Sequence, residues 1–236
     1  MTAKLYGVGV GPGDSNLLTI KALEVLEEVD YICAPQSGNK KDSLALKIVK
    51  EKVDIEDRVI KLNFPMSYNQ NELDQAHSVA ALKIKKKLAQ GKNLAFITLG
   101  DPLFYSTYIY ILNKLNINQD ASNVQIETVP GITSVSACSA RSNLPLAEND
   151  ENVAIISKVK SRDHLKNILQ MFETVVVLKL TRNFKKAYEV LNELNLEENT
   201  IVTSRCGQKE EMIIKDINKL EKDNIDYLSL LITKTK

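Results

Sequence analysis

Leu5-Tyr6-Gly7-Val8-Gly9-Val10-Gly11-Pro12-Gly13-Asp14 runs directly into Ser15-Asn16-Leu17-Leu18-Thr19-Ile20-Lys21-Ala22. Glycine at every second position leaves one face of an extended strand without side chains, so that a ligand or another backbone can approach unusually closely. After it, Leu17, Leu18, Ala22, Val25, Leu26 and Val29 recur at helical spacing, with Asp14 or Ser15 standing where an N-cap would. The chain therefore opens as strand, glycine turn and helix.

The same alternation continues outward from that stretch. Tyr31-Ile32-Cys33-Ala34-Pro35 is a short apolar run stopped by proline, Leu44, Leu46, Ile48 and Val49 suggest a helix, and Arg58-Val59-Ile60-Lys61-Leu62 reads as a strand. Asn63 to Asn71 reads as a loop, and Glu72 to Gln90 as a long helix closed by Gly91. A buried-type strand at Asn93–Leu99 ends in Gly100-Asp101-Pro102, with a helix expected over Phe104–Leu115. Strand Val124–Val129 then ends in Pro130-Gly131-Ile132-Thr133-Ser134. Three strands finish in small or polar turns, and in open parallel sheets ligands lie at the carboxyl ends of strands, so these turns should converge. Ser134 to Arg141 is helix-compatible, and Leu144 to Glu151 a polar connection. Strands are expected at Val153–Ile156, Thr174–Leu180, Thr200–Thr203 and Leu228–Ile232, helices at Asp163–Phe172 and Asn183–Leu194, and either element near Glu211–Ile214. The glycine-rich turns stop at Ile132 or Thr133, which places a boundary there: an N-terminal α/β domain over 1–133 and a C-terminal α/β domain over 134–236.

Composition bounds the partners loosely. Hydrophobic residues at 44% and charged ones at 26% are ordinary for a globular chain, and a net charge of +1 exerts no global pull toward nucleic acid or an anionic membrane. The lysines of 83–87 read as a solvated helix end. Cys33, Cys138 and Cys206 are odd in number and widely spaced, without a second cysteine or histidine at metal-ligand spacing, so no metal site is expected and a reducing, cytoplasmic compartment fits. No signal-peptide pattern precedes the glycine strand and the sequence holds no uninterrupted apolar run of about 18 residues, which makes soluble and cytosolic the expectation.

The glycine strand invites a dinucleotide reading, but the required G-x-G-x-x-G fails in both registers: from Gly7 its last position is Pro12, and from Gly9 it is Asp14. No P-loop string follows, and an acidic Asp14 at the helix start would repel a pyrophosphate. The expected ligand is one not held by phosphates, neutral or cationic, its polar groups read by backbone. Asp101 is either an acceptor for that ligand or an Asx-turn residue. The hydroxyls of Thr133 and Ser134 either contact it or cap a helix. His77 and His164 have no partner at ligand spacing, and no nucleophile elbow supports hydrolase chemistry.

Taken together, the Gly7–Asp14 turn with Leu17–Ala22, Leu99-Gly-Asp-Pro102 and Val129-Pro-Gly-Ile-Thr-Ser134 resemble the tetrapyrrole (corrin/porphyrin) methyltransferases over essentially the whole chain. Gly100–Tyr108 and Leu144–Glu151 are similar to the branch that methylates C20 of precorrin-2 or cobalt-factor II in cobalamin biosynthesis. The resemblance implies two α/β domains, a largely parallel sheet first and a mixed one second, with an active-site cleft between them. It further implies an S-adenosylmethionine-dependent C-methyltransferase, a tetrapyrrole substrate, a homodimer, and neither nucleic acid nor membrane as partner. Carried over residue by residue, it assigns Pro12, Gly100, Asp101, Pro102, Phe104, Thr133, Ser134, Leu178, Lys179, Arg205 and Cys206 to the methyl donor. Gly11, Tyr105, Ser106 and Thr107 fall to the substrate, with Leu178 replacing a methionine frequent in the family. No single catalytic residue is expected. Arg58, Lys61, Arg141, Lys179, Arg182 and Arg205 are the candidates for the substrate carboxylates. A ribosomal RNA methyltransferase of the same fold is the first rival, weakened by the near-neutral charge, and a nucleotide-binding oxidoreductase the second, weakened by the broken fingerprint.

Overall fold

A computed structural model describes residues 2–37, 43–115, 124–220 and 225–236. The chain separates into two compact units, Met1–Thr133 and Ser134–Lys236. The first unit runs β1 (Ala3–Gly9), α1 (Ile20–Glu28), β2 (Tyr31–Gln36), α2 (Leu44–Lys50), β3 (Val59–Asn63), α3 (Gln70–Leu88), β4 (Leu94–Thr98), α4 (Thr107–Leu115) and β5 (Val124–Val129). Among the described residues its sheet has the order β3-β2-β4-β1-β5, with every pair parallel. Parallel strands are covered on both faces, and two cores result. Val8, Val10 and Ile97 pack with Ala22, Val25 and Leu26 of α1 and Leu46, Ile48 and Val49 of α2. Leu5, Leu94 and Phe96 pack with Ala80, Ala81 and Ile84 of α3 and Tyr108 and Ile111 of α4. The chain leaves β1 toward β2 and leaves β4 toward β5, although β1 and β4 are neighbours. That reversal opens a crevice at their carboxyl ends.

Two helix starts move from their expected places for a local reason. Asp14 caps only a 3₁₀ turn over Ser15–Leu17, its carboxylate accepting from the Asn16 N–H at 2.8 Å. The cap of α1 is Thr19, whose hydroxyl accepts from the Ala22 N–H at 3.1 Å. Helix α4 begins at Thr107, not Phe104, because residues 101–105 are held in turns. α1 ends without a basic residue in its last turn, and Arg58 serves there: one guanidinium nitrogen donates to the carbonyls of Leu26, Glu27 and Val29 at 3.0–3.1 Å. A cation on the negative helix end is stabilising, and this use removes Arg58 from the candidates for binding substrate.

The second unit runs α5 (Ser134–Ser142), β6 (Val153–Ile156), α6 (Arg162–Met171), β7 (Thr174–Val177), α7 (Leu180–Glu193), β8 (Thr200–Ser204), β9 (Met212–Ile214) and β10 (Ser229–Lys234). Its sheet has the order β6-β7-β10-β8-β9. β6 and β7 are parallel, and the other pairs antiparallel, which makes it mixed. Leu165 and Leu169 of α6 and Leu180, Phe184, Ala187 and Leu191 of α7 cover it with Val175, Val177, Val202 and Leu231. β7 stops at Val177 and α7 begins at Leu180, earlier than Asn183, because Lys179 takes a left-handed conformation (φ 53, ψ 51) between them. The Glu211–Ile214 ambiguity resolves as strand.

Candidate functional site

The three turns of the first unit meet, and glycine is what lets them. Gly11 and Gly100 form an antiparallel bridge: the Gly100 N–H donates to the Gly11 carbonyl at 2.7 Å and the Gly11 N–H to the Gly100 carbonyl at 3.4 Å. Both have positive φ, 78° and 70°. A Cβ on Gly9 would lie 2.6 Å from the Gly100 oxygen and from Gly131 Cα, and one on Gly131 would lie 2.2 Å from that same oxygen and 2.7 Å from Gly9 Cα. Backbone stands on every side, so no side chain fits. A Cβ on Gly7 would strike the Tyr108 ring at 2.2 Å. Of the two readings of the bare strand face, close approach by other parts of the chain is therefore the one realised at Gly7 and Gly9.

Asp101 laces the knot. One carboxylate oxygen accepts from the Leu103 N–H at 2.9 Å, the other from the Gly131 N–H at 3.0 Å. It is thus an Asx-turn residue that also ties the second turn to the third. Pro102 and Pro12 are buried, Phe104 is half-buried with its ring edge-on to Tyr105 at 4.9 Å, and Leu103 and Tyr105 are exposed. Tyr105 holds a positive φ of 55°. Ser106 is buried, its hydroxyl 3.0 Å from that of Thr98 and accepting from the Tyr108 N–H at 3.0 Å, so it works as the N-cap of α4. Thr107 is the first residue of that helix and Gly11 is buried in the bridge, which leaves Tyr105 as the exposed member of the expected substrate group. Thr133 ends the first unit and Ser134 opens α5, so the hydroxyl pair straddles the unit boundary.

The residues expected from the second unit sit on two other turns. Leu178 is buried, and its N–H donates to the Ile156 carbonyl at 2.8 Å. The turn is held by Asn183, which sequence reasoning missed: its amide nitrogen donates to the carbonyls of Leu178, Lys179 and Ser157, and its oxygen accepts from the Val159 N–H at 2.8 Å. The available signal was a polar residue on the apolar stripe of Leu180, Phe184, Ala187 and Leu191. Arg205 has a positive φ of 50° and pairs with Asp226 through two nitrogens at 2.9 Å. Arg141 likewise donates through two nitrogens to Glu211 at 2.7 Å. Both are held by carboxylates of their own unit. Cys206 is a buried free thiol beside Cys138, and the hydrogen bond between them, together with burial, pushes the Cys138 thiol up.

The ligand that suits the first-unit turns is read from their donors. Residues 7–14, 98–107 and 129–134 include no lysine or arginine. What they offer is backbone groups at the ends of β1, β4 and β5, hydroxyls, and the apolar sides of Pro102, Leu103 and Phe104. A phosphate would find no countercharge here, whereas a nucleoside carrying a sulfonium in place of a phosphate meets no penalty. The residues fit S-adenosylmethionine. Among the described residues no cluster of His, Cys, Asp or Glu could hold a metal ion, and no helix is long and apolar enough to cross a membrane.

Comparison with known proteins agrees with this geometry. Residues 4–221 match the model of the tetrapyrrole (corrin/porphyrin) methylases, and the chain belongs to that family. It is 35% identical over 235 residues to a Methanocaldococcus jannaschii protein named "Probable cobalt-precorrin-2 C(20)-methyltransferase", covering 99% of this chain and 97% of that one. It is 29% identical to the cobalt-precorrin-2 C(20)-methyltransferase of Salmonella typhimurium, over 98% and 96% of the two chains. Among solved structures, the cobalt precorrin-4 methyltransferase CbiF is similar with a TM-score of 0.73 at 20% identity, over 98% of this chain and 94% of that one. A uroporphyrin-III C-methyltransferase of Thermus thermophilus, solved with S-adenosylhomocysteine, is similar with a TM-score of 0.67 at 20% identity, over 98% and 97%.

Proposed function

We propose that this chain transfers a methyl group from S-adenosylmethionine to C20 of precorrin-2 or its cobalt form, a step of cobalamin biosynthesis. The observation that carries the reading is the full-length likeness to relatives that bear this activity in their names. The donor, when bound, supplies an electrophilic methyl on a sulfonium. The chain's contribution is alignment and exclusion of water, since an electron-rich bridge carbon can attack in line without a strong base.

Within the first unit, Pro12, Gly100, Asp101, Pro102, Phe104 and Thr133 hold the donor, with Asp101 acting through the turn it ties and not as a direct acceptor. Tyr105 stands at the substrate side. Ser134, Leu178, Lys179, Arg205 and Cys206 are assigned to the donor on the resemblance alone. Arg58, Arg141 and Arg205 are engaged in structural bonds, and Lys61, Lys179 and Arg182 are candidates for the substrate's carboxylates on their charge alone. We further place the enzyme in the cytoplasm as a homodimer that uses neither nucleic acid nor membrane.

Incubating the protein with methyl-labelled S-adenosylmethionine and, separately, metal-free and cobalt-loaded precorrin-2 tests the reading. One labelled methyl at C20 is expected in at least one tetrapyrrole, and the better substrate identifies the natural form. Label at another carbon, or in RNA with none in either tetrapyrrole, overturns it.

A further inference from the structure

Helices α1, α2, α3 and α6 open on Thr19, Ser43, Asn69 and Ser161, each with extended backbone and each capping the first turn with its own side chain. α7 opens otherwise. Its N-cap position holds Lys179, left-handed at φ 53 and ψ 51 and without a side-chain cap bond. In a residue other than glycine that conformation is disfavoured by a factor of about ten, and it persists only where the surroundings over-determine it. Here Asn183 does so, one helical turn further on and 4% exposed.

The Asn183 amide nitrogen donates to the carbonyls of Leu178 at 3.0 Å and Lys179 at 3.3 Å. Those two carbonyls belong to the two peptide planes that meet at the Lys179 Cα, so fixing both fixes its φ and ψ. The same nitrogen donates to the Ser157 carbonyl at 3.2 Å, and the amide oxygen accepts from the Val159 N–H at 2.8 Å, which ties the planes to the turn after β6. Donors on one side and an acceptor on the other are what an amide has and its isostere aspartate lacks. A leucine on this stripe of α7 would add to the core and leave Lys179 free to relax.

We infer that Asn183 is a positioning residue for methyl transfer: by fixing both peptide planes at Lys179 it keeps the Leu178–Lys179 turn in the conformation that receives the donor. The inference rests on the assignment of that turn to S-adenosylmethionine. Calorimetric titration of the full chain with S-adenosylhomocysteine tests it. Without the amide, the share of molecules with Lys179 left-handed falls to about a tenth, so Asn183→Ala should weaken binding about tenfold. Glycine takes positive φ about as readily as negative, so in a Lys179→Gly background the same Asn183→Ala step should cost only about twofold. A general loss of packing does not produce that coupling. Leu191→Ala, at a buried position near the other end of α7, should lower the melting temperature and leave affinity within about twofold. If Asn183→Ala does not fold, Asn183→Ser takes its place in the cycle. Equal losses in the two backgrounds, or an unchanged affinity in Asn183→Ala, overturn the role. Lys179→Pro, which cannot hold a positive φ, tests the turn separately and should abolish measurable binding. Unchanged affinity in Lys179→Pro removes the turn from the donor, and Asn183 with it. A wild type that binds no S-adenosylhomocysteine overturns the donor reading itself.

Discussion

At the scale of single residues, the site is decided by atoms that are missing. Gly9 and Gly131 touch backbone on both sides, so an added methyl can be relieved only by parting the turns. Gly91 also has a positive φ, 77°, but nothing lies within 4 Å of its would-be Cβ. Gly91→Ala should therefore cost about 1–2 kcal/mol, the left-handed penalty alone, and leave affinity for S-adenosylhomocysteine unchanged. Gly131→Ala should cost at least as much through overpacking, roughly 1–3 kcal/mol, and also abolish measurable binding. Asp101→Ala strands the Leu103 and Gly131 N–H groups and should fall between the two. Melting and calorimetric titration of the three variants check the order, and equal affinities would detach the turn knot from donor binding.

At the scale of elements, the second unit is closed by a clamp on its C-terminal strand. The Glu173 carboxylate accepts from the Asn152 N–H at 2.9 Å and pairs with Lys236 at 2.8 Å, while Lys234 pairs with Glu151 at 2.6 Å. The hydrogen bond from Lys236, then that from Asn152, hold Glu173 down to about 2 from an ordinary 4.5. A carboxylate depressed on folding adds stability above its unfolded pKa and loses it as pH falls through the folded value. Urea midpoints should accordingly drop between about pH 4.5 and 2, and Glu173→Gln should make that drop shallower. An identical slope in the variant would show that the clamp carries no pH dependence. His77 belongs to this scale too. It is buried in α3, stacked on Tyr110 at 4.8 Å, and burial lowers its pKa, the behaviour of a core histidine and not of a ligand.

At the scale of the whole molecule, charge separates the two ligands of the proposed reaction. The first-unit turns carry no cation, so if Lys179 and Arg205 of the second unit meet the donor through backbone alone, the affinity for S-adenosylhomocysteine should change less than about twofold between low and high salt. The tetrapyrrole presents several carboxylates, and its affinity should fall clearly over the same range. Calorimetry in both conditions distinguishes them, and a strongly salt-dependent donor would point to a cation at its site.

The order of strands and helices, the glycine turn and the Gly-Asp-Pro turn were legible because each rests on local spacing: glycine at alternate positions, proline after a strand, apolar residues three and four apart. Helix starts were less so. Whether Asp14 or Thr19 caps α1 depends on a 3₁₀ turn that spacing does not reveal, and Lys179 in a left-handed turn bears no sequence mark. What only the tertiary structure decided is what fills the bare face of β1. The glycines had left open a ligand or another backbone, and packing puts the Tyr108 ring on Gly7 and the third turn on Gly9, because contacts between residues a hundred positions apart follow from the strand order and not from the strand. The same limit hid the engagement of Arg58, Arg141 and Arg205: the charge of an arginine is written in the sequence, and the carbonyl or carboxylate that takes it is set by where the chain returns.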